Sequence, residues 1–266
     1  MSQTDEARHR PGWSRIRPSA EPWSSATIEL MAPNATEQQL RDADPCLRLL
    51  NLPASCHLPA HWCDVDTLWI CQSGVYAAAG EGDYRPGELR LARAGRVCGG
   101  ISVDETGCRL LLIGLGSNAV LHDAQEPVPD PLSARLDEFE ASWQRASMDE
   151  AAWQEFDDPA GRPTQPVQML FDTDPYVLRT RFVPGFSAAE HWHDFDTLYL
   201  ITAGRMRFGD EGWYETGDIR WVSGRQSYGP EEPGAEGVEF ILVSSGGPVH
   251  LHWADLEPPP RGKLQI

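Results

Sequence analysis

The sequence predicts an all-β protein that consists of two tandem jelly-roll barrels joined by a short helical connector. Its 24 glycines and 22 prolines are scattered between short apolar runs, which is typical of short strands linked by many turns. The chain also contains an internal duplication: 21 of the 81 residues from 42 to 122 are identical to the residue 130 positions later. With 266 residues, 41% of them hydrophobic, the chain is long enough for two such barrels.

The charge balance excludes several classes of partner. Acidic residues outnumber basic ones by 40 to 22, and the net charge is −18. Nucleic acids and anionic membrane surfaces attract clustered Lys and Arg, so we expect neither partner. We find no apolar stretch of about 18 residues and no secretory signal, and we expect a soluble, cytoplasmic protein. In that compartment the six cysteines are expected to be free thiols or metal ligands rather than disulfides.

The segments outside the barrels have their own composition. Residues 1–25 are polar and rich in proline, and we expect a flexible N-terminal segment. Residues 125–160 are expected to form a helical connector that packs on one barrel. Asp130 and Pro131 are typical of a helix start. The apolar residues after them have the spacing of one helix face: Leu132, Leu136, Phe139 and Trp143.

The barrels themselves are predicted at residues 26–124 and 161–256, followed by a polar C-terminal tail at 257–266. In the second barrel, alternating or continuous apolar runs separated by Gly and Pro predict strands of even spacing. These predicted strands are 177–182, 191–201, 205–208, 219–222, 237–244 and 250–253.

Several polar residues are identical in the two repeats. We expect the paired aspartates to be turn or surface features, because Asp commonly hydrogen-bonds nearby backbone. For the threonines, a structural role and a role as polar pocket groups both stay open. The arginines are expected to pair with glutamate rather than bind an anionic substrate. The pairs are Asp64/Asp194, Asp66/Asp196, Thr67/Thr197, Glu81/Glu211, Arg90/Arg220 and His122/His252.

The second repeat resembles the cupin family. Gly185 is followed, after five residues, by His191 and His193, which is the spacing of the first cupin motif. Gly204 stands where that motif ends, and residues 217–228 resemble the second motif. Because both repeats carry related residues, the resemblance implies a bicupin with two cupin-type barrels.

The histidine pair suggests a metal site in the second barrel. Side chains two positions apart lie on the same side of a strand, so His191 and His193 converge, and neutral imidazole binds many transition metals. The resemblance implies a further Glu and a further His, but Thr197 and Tyr228 stand at those positions. We predict one divalent transition metal (Fe, Mn, Ni or Zn) at His191, His193 and Tyr228, with Tyr228 and Thr197 as candidate catalytic residues. The alternative is a pair of histidines that hydrogen-bond in a barrel without metal.

The first repeat offers a second candidate set. His61, Cys63 and Cys98 occupy the corresponding positions. Thiolate and imidazole together suit zinc or copper(I), so these residues are a candidate metal site. The alternative is that this repeat has lost the site and that its cysteines are small buried hydrophobic residues.

The resemblance implies a metal-dependent bicupin enzyme that acts on a small organic molecule. An oxygenase-type (dioxygenase) reaction in the second barrel ranks first, ahead of isomerase or lyase chemistry. The alternative is a non-catalytic bicupin, a sensor or a small-molecule or metal-binding module, which the replaced ligand positions favour. A homodimer is one expected assembly, since symmetric pairing covers sheet edges, although no residue indicates it.

Overall fold

The chain folds into two compact units in a computed structural model. The structure describes residues 12–26, 34–116, 118–136, 143–156, 158 and 160–259. One unit comprises Pro18–Glu150, and the other comprises Met1–Arg17 with Ala151–Ile266. Strands dominate the described residues of both units, which confirms the all-β prediction. None of the helices in these residues has the length and apolarity needed to span a membrane.

The first barrel lies in the unit Pro18–Glu150. Its main sheet has the order β12-β9-β7-β10-β4-β3-β2, with β5 beside β10 and β8 beside β7, and β11 pairs with β6. The strands are β2 (Ser24–Ser25), β3 (Thr36–Arg41), β4 (Cys46–Leu52), β5 (His57–Leu58), β6 (His61–Cys63), β7 (Thr67–Ala78), β8 (Gly82–Tyr84), β9 (Glu88–Ala92), β10 (Ile101–Gly114), β11 (Leu121–Asp123) and β12 (Trp143–Ser147).

The second barrel repeats this arrangement. Its main sheet has the order β1-β19-β17-β20-β15-β14-β13, with β18 beside β17, and β16 pairs with β21. The strands are β1 (Trp13–Ile16), β13 (Trp153–Gln154), β14 (Val167–Phe171), β15 (Tyr176–Phe182), β16 (His191–Trp192), β17 (Thr197–Phe208), β18 (Trp213–Glu215), β19 (Ile219–Val222), β20 (Glu231–Ser244) and β21 (His252–Trp253). The predicted strand 219–222 is confirmed, whereas the predicted strand 191–201 is interrupted between β16 and β17.

Two predicted segments differ from the structure. The described part of the N-terminal segment is not loose, because β1 pairs with β19 and β2 pairs with β3. Within the described residues, the predicted connector is helical at Asp130–Leu136, where the helix α1 does begin at Asp130. Further along, Trp143 belongs to β12, which extends the first-barrel sheet by pairing with β9. An open sheet edge at β9 satisfies the backbone of this stretch better than an isolated helix would. Phe139 lies outside the described residues.

A glycine pair marks the same irregularity in both barrels. Gly74 and Gly204 each have a positive φ at a register shift of the long strand pair, β7–β10 and β17–β20. A Cβ on Gly204 would lie 2.3 Å from the carbonyl oxygen of Gly237, and one on Gly74 would lie 1.8 Å from that of Gly107. Only glycine fits such a close approach, which explains why all four glycines match across the duplication.

A buried ion pair also repeats. Arg90 binds both carboxylate oxygens of Glu81 at 2.6 and 2.7 Å, and Arg220 binds those of Glu211 at 2.6 and 2.8 Å. Both arginines are fully buried, and the hydroxyls of Tyr84 and Tyr214 donate to the same two glutamates. The expected Arg–Glu pairing is therefore confirmed, and it explains the shared residues of this turn.

The repeated aspartates support turns, as expected, and the repeated histidines stack on tryptophans. The backbone amides of Ala94 and Gly224 donate at 2.8 Å to the carboxylates of Asp66 and Asp196, respectively. His122 and His252 stack on Trp62 and Trp192 of the strands that pair with their own, with ring centroids 4.0 Å apart in each case.

Candidate functional site

The second barrel encloses a cavity of about 100 Å³. Its inner wall is buried and comes mainly from β15, β16, β17 and β20, whereas half-buried side chains form the mouth. The wall is mostly apolar, and its polar side chains gather at one end. The lining residues at that end are His191, His193, Tyr199 and Glu231.

The two histidines present the same ring atom to the cavity. The Nδ1 atom of His191 lies 2.8 Å from the carbonyl oxygen of Ala189, and that of His193 lies 2.5 Å from the carbonyl oxygen of His250. Burial lowers the pKa of His191 to about 4 and that of His193 to about 3, so both rings are neutral. A neutral ring that donates from Nδ1 keeps an unshared electron pair on Nε2. Each histidine therefore offers one Nε2 acceptor.

Glu231 is the residue that the sequence analysis missed. It begins β20, and a backbone bridge to Ala188 brings its carboxyl group beside His191, with 3.7 Å between Oε1 and Nε2. Burial raises the pKa of Glu231 to about 7, partly opposed by Arg220 and by a hydrogen bond with Tyr199. A signal was available: the matching residue of the first repeat is Ile101, so a carboxylate stands at an apolar position.

Tyr228 lies behind this end of the cavity rather than on its lining. Its hydroxyl is 2.6 Å from that of Tyr199, and the Arg220 guanidinium lies 4.1 Å from the centre of its ring. Burial raises the pKa of Tyr228, which opposes the phenolate form that metal binding would need. Thr197 is buried nearby, and its hydroxyl interacts with that of Tyr228, which partly opposes this rise in the Tyr228 pKa. Ligation by Tyr228 and catalysis by Thr197 stay predictions.

The donor set of this end fits a metal ion in its chemistry. His193 Nε2 and Glu231 Oε1 are both buried acceptors that have no hydrogen-bond partner among the residues that the structure describes. Two neutral imidazoles and one carboxylate form the donor set of many non-haem iron sites. Atoms that each lie about 2.1 Å from one metal stand at most about 4.2 Å apart, so the 3.7 Å between His191 and Glu231 is compatible with shared ligation. Among the described residues, however, no three His, Cys, Asp or Glu side chains already form a cluster of metal-binding geometry.

The first barrel brings its predicted residues together in a much smaller space. His61, Cys63 and Cys98 line one cavity of about 10 Å³, which Trp69 and three arginines also line. Burial raises the pKa of the Cys63 thiol well above its usual range, so the thiolate form that metal binding needs is disfavoured. Cationic side chains beside the cavity oppose a metal ion further. A metal site here stays a prediction that these surroundings do not favour.

All six cysteines are buried and free. The expectation of free thiols is confirmed for the described residues. The sulfur atoms of Cys71 and Cys108 lie 3.9 Å apart. This distance is far beyond the disulfide bond length of about 2.05 Å.

Comparisons with known proteins agree with this architecture. No family model and no curated protein sequence matches the chain. A solved structure from Nostoc punctiforme, described as a proposed dioxygenase, matches with a TM-score of 0.71 and 16% identity, over 90% of this chain and 88% of that one. The oxalate decarboxylase of Lactobacillus farciminis matches with a TM-score of 0.64 and 13% identity, over 94% and 91% of the two chains. A variant of the Bacillus subtilis oxalate decarboxylase matches with a TM-score of 0.63 and 14% identity, over 92% and 81%. Together with the duplicated barrels, these likenesses identify the fold of the chain as that of the bicupins of the cupin superfamily.

Proposed function

We propose that the second barrel is the active half of a metal-dependent enzyme, in which His191, His193 and Glu231 hold one divalent transition metal. The observation that carries the proposal is a set of three buried acceptor atoms at one end of a cavity. No described residue donates to His193 Nε2 or Glu231 Oε1, and His191 Nε2 faces Glu231 at 3.7 Å. Unpaired buried acceptors each cost about 1–3 kcal/mol, and one bound cation removes that cost for the whole set.

The surrounding residues define the rest of the site. The Tyr199 hydroxyl hydrogen-bonds Glu231 and lies 2.6 Å from the Tyr228 hydroxyl. Because an ionised carboxylate only accepts, Tyr199 donates to Glu231 and accepts from Tyr228. The carbonyl groups that bind each Nδ1 fix the rotation of both imidazole rings, a common device around metal ligands.

Within this class we propose an oxygenase-type reaction on a small organic molecule. When bound, the metal supplies Lewis acidity and open positions for the reactants. A dioxygenase reaction balances with the substrate and O₂ alone, because both oxygen atoms enter the product and the substrate supplies the electrons. The apolar wall excludes water from the reacting end of the cavity. The likeness to a proposed dioxygenase supports this choice, and the six free cysteines suit a reducing, cytoplasmic location.

A binding module without catalysis is the second candidate. Thr197 and Tyr228 replace two of the ligands that the cupin resemblance implies, and the described side chains do not form a complete metal cluster. In that case the cavity binds a small molecule, and Glu231 carries a proton instead of a metal.

Elemental analysis of the purified protein tests the metal site. We expect about one Fe, Mn, Ni or Zn per chain in the wild type, and at least about a tenfold loss of metal affinity in H191A/H193A and in E231Q. His61→Ala is the matched control, because it removes the corresponding histidine of the first barrel. We expect no loss of metal in that variant.

Other outcomes of the same analysis are equally informative. Metal lost only in C63S/C98S moves the site to the first barrel and overturns the proposal. Metal absent from every sample after incubation with Fe(II), Mn(II), Ni(II) and Zn(II) overturns the enzyme proposal and leaves the binding module. Oxygen consumption with candidate substrates, followed with an electrode, then tests the reaction class in the metal-loaded protein.

A further inference from the structure

The side chains that line the second-barrel cavity indicate which kind of ligand it can bind. Away from the polar end, the lining is built of aromatic and aliphatic side chains. Phe182 packs against Phe186 at 4.6 Å and edge-on against Phe240 at 5.2 Å, measured between ring centroids. Tyr199 lies 5.4 Å from Phe240 and continues the same wall. Such a wall favours an apolar body, and an aromatic ring above all.

Other polar side chains of the wall already form hydrogen bonds within the protein. Thr180 Oγ1 donates to the carbonyl oxygen of Pro166 at 2.9 Å, and Thr164 Oγ1 donates to that of Phe156. Gln165 donates to the carbonyl oxygen of Thr164 and accepts from the backbone amide of Val183. Polar recognition is therefore confined to the end that holds the histidines and Glu231.

No cationic side chain is available for a second charge on the ligand. Among the described residues that line the cavity, none is Lys or Arg. The nearby Arg220 does not line it, and Glu211 binds that guanidinium through both oxygens. A buried charge without a partner is strongly disfavoured. A dianion would thus leave one of its charges uncompensated against the apolar wall.

The volume sets the size of the buried part. An engineered apolar cavity of about 150 Å³ takes one benzene molecule. The present cavity of about 100 Å³ is smaller, so it encloses at most one six-membered ring, with any further atoms at the half-buried mouth.

We propose that the second barrel binds a largely apolar molecule the size of a single ring, with one polar end against His191, His193 and Glu231 and no second charged group. This inference rests on the proposed function for the identity of the reacting end. It separates the chain from its oxalate decarboxylase neighbours, whose named substrate is a small dicarboxylate.

The test is calorimetric titration of the full-length protein with two matched probes, 4-methylphenol and 4-hydroxybenzenesulfonate. The probes share the phenol end and differ at the far end by a methyl group or a sulfonate, an anion that binds metal ions weakly and so does not replace the phenol at the polar end. We expect 4-methylphenol to bind at least about tenfold more tightly, a difference of about 1.4 kcal/mol. Equal or tighter binding of 4-hydroxybenzenesulfonate, or tighter binding of oxalate, overturns the inference.

A variant locates the binding site. Ala188 lines the cavity, and the first barrel has Leu58 at the matching position. We expect Ala188→Leu to weaken 4-methylphenol binding at least about tenfold, whereas Ser187→Leu adds the same bulk at an exposed neighbour and leaves binding unchanged. Unchanged binding by Ala188→Leu, with a folded circular dichroism spectrum, also overturns the inference.

Metal content measured on the same samples separates the two proposals. Metal with a preference for 4-hydroxybenzenesulfonate contradicts the ligand class alone. A preference for 4-methylphenol without metal contradicts the metal-dependent function alone.

Discussion

The two barrels share a scaffold and differ in what their interiors contain. The first has a cavity of about 10 Å³ and the second one of about 100 Å³. Three exchanges between matching positions contribute to this difference: Trp69 for Tyr199, Ile101 for Glu231 and Leu58 for Ala188. In each exchange the first barrel has the larger or more apolar residue. A few inward-facing positions can therefore separate a closed core from a candidate site within one fold.

The difference extends to hydrogen bonding. In the first barrel, Trp69 Nε1 donates to Thr67 Oγ1 at 3.0 Å. In the second, His193 Nε2 and Glu231 Oε1 are buried acceptors without a partner among the described residues. Unsatisfied buried groups are rare and tend to mark functional sites. The described residues of the first barrel also include unsatisfied buried atoms, such as Arg90 Nη1 and Arg96 Nε, but these are donors. The unsatisfied acceptors of the second barrel suit a cation, which supports a function there.

The largest predicted effect concerns a feature that the barrels share. Removing one partner of a buried ion pair leaves an uncompensated charge, so we expect Glu81→Ala and Glu211→Ala each to lower the free energy of unfolding by about 3–5 kcal/mol. Urea denaturation followed by circular dichroism measures both variants. Glu232→Ala is the control, because its pair with Arg207 is partly exposed and is worth at most about 1 kcal/mol.

An unequal result would change the comparison. If only one of the two glutamate variants loses stability, the shared turn supports one barrel and is dispensable in the other. That outcome would contradict the idea that the Arg–Glu pair stabilises both barrels to the same extent, although the two pairs have nearly the same geometry.

The sequence predicts the scaffold well because its signals are local or duplicated. Glycine spacing, the Asp-Thr turn and the Glu–Arg pair each recur after 130 residues. The candidate site is harder to predict from the sequence, because it depends on contacts between residues of different strands. Two backbone bridges, Ala188 to Glu231 and His191 to Tyr228, bring Glu231 beside His191. No local sequence pattern predicts the register of these bridges. Tyr199 could have been predicted as a site residue from the sequence, because it stands two positions after Thr197 on the same strand face.

A second prediction exchanges a site residue for its counterpart. Glu231→Ile gives the second barrel the residue of the first, and it removes a buried carboxyl oxygen that has no partner among the described residues. The Tyr199 hydroxyl loses Glu231 as its acceptor but lies 2.6 Å from the Tyr228 hydroxyl, to which it can donate instead. We therefore expect the metal-free variant to gain about 1 kcal/mol in free energy of unfolding and to lose metal binding. Thermal denaturation of metal-free samples and elemental analysis measure the two effects.

The reverse exchange provides the control. Ile101→Glu introduces a carboxyl group into the fully buried interior of the first barrel. Trp69 stands there at the position of Tyr199, so the new carboxyl group has no tyrosine hydroxyl to bind. We expect a loss of stability and no gain of metal. A Glu231→Ile variant that is less stable than the metal-free wild type would show that Glu231 is satisfied in the folded protein, and the metal proposal would lose its main support.

The smallest predicted effect compares the two threonines, for which the sequence left a pocket role open. Thr67→Val leaves the buried Trp69 Nε1 without its acceptor, and we expect a loss of about 1–2 kcal/mol. Thr197→Val removes a hydroxyl that interacts with Tyr228 but makes no hydrogen bond of good geometry among the described residues, and we expect a change within about 0.5 kcal/mol. Urea denaturation of both variants at the same metal content gives the difference. A cost for Thr197→Val equal to that for Thr67→Val would mean that the Thr197 hydroxyl has a partner in solution, which would favour the predicted catalytic role of Thr197 over a passive one.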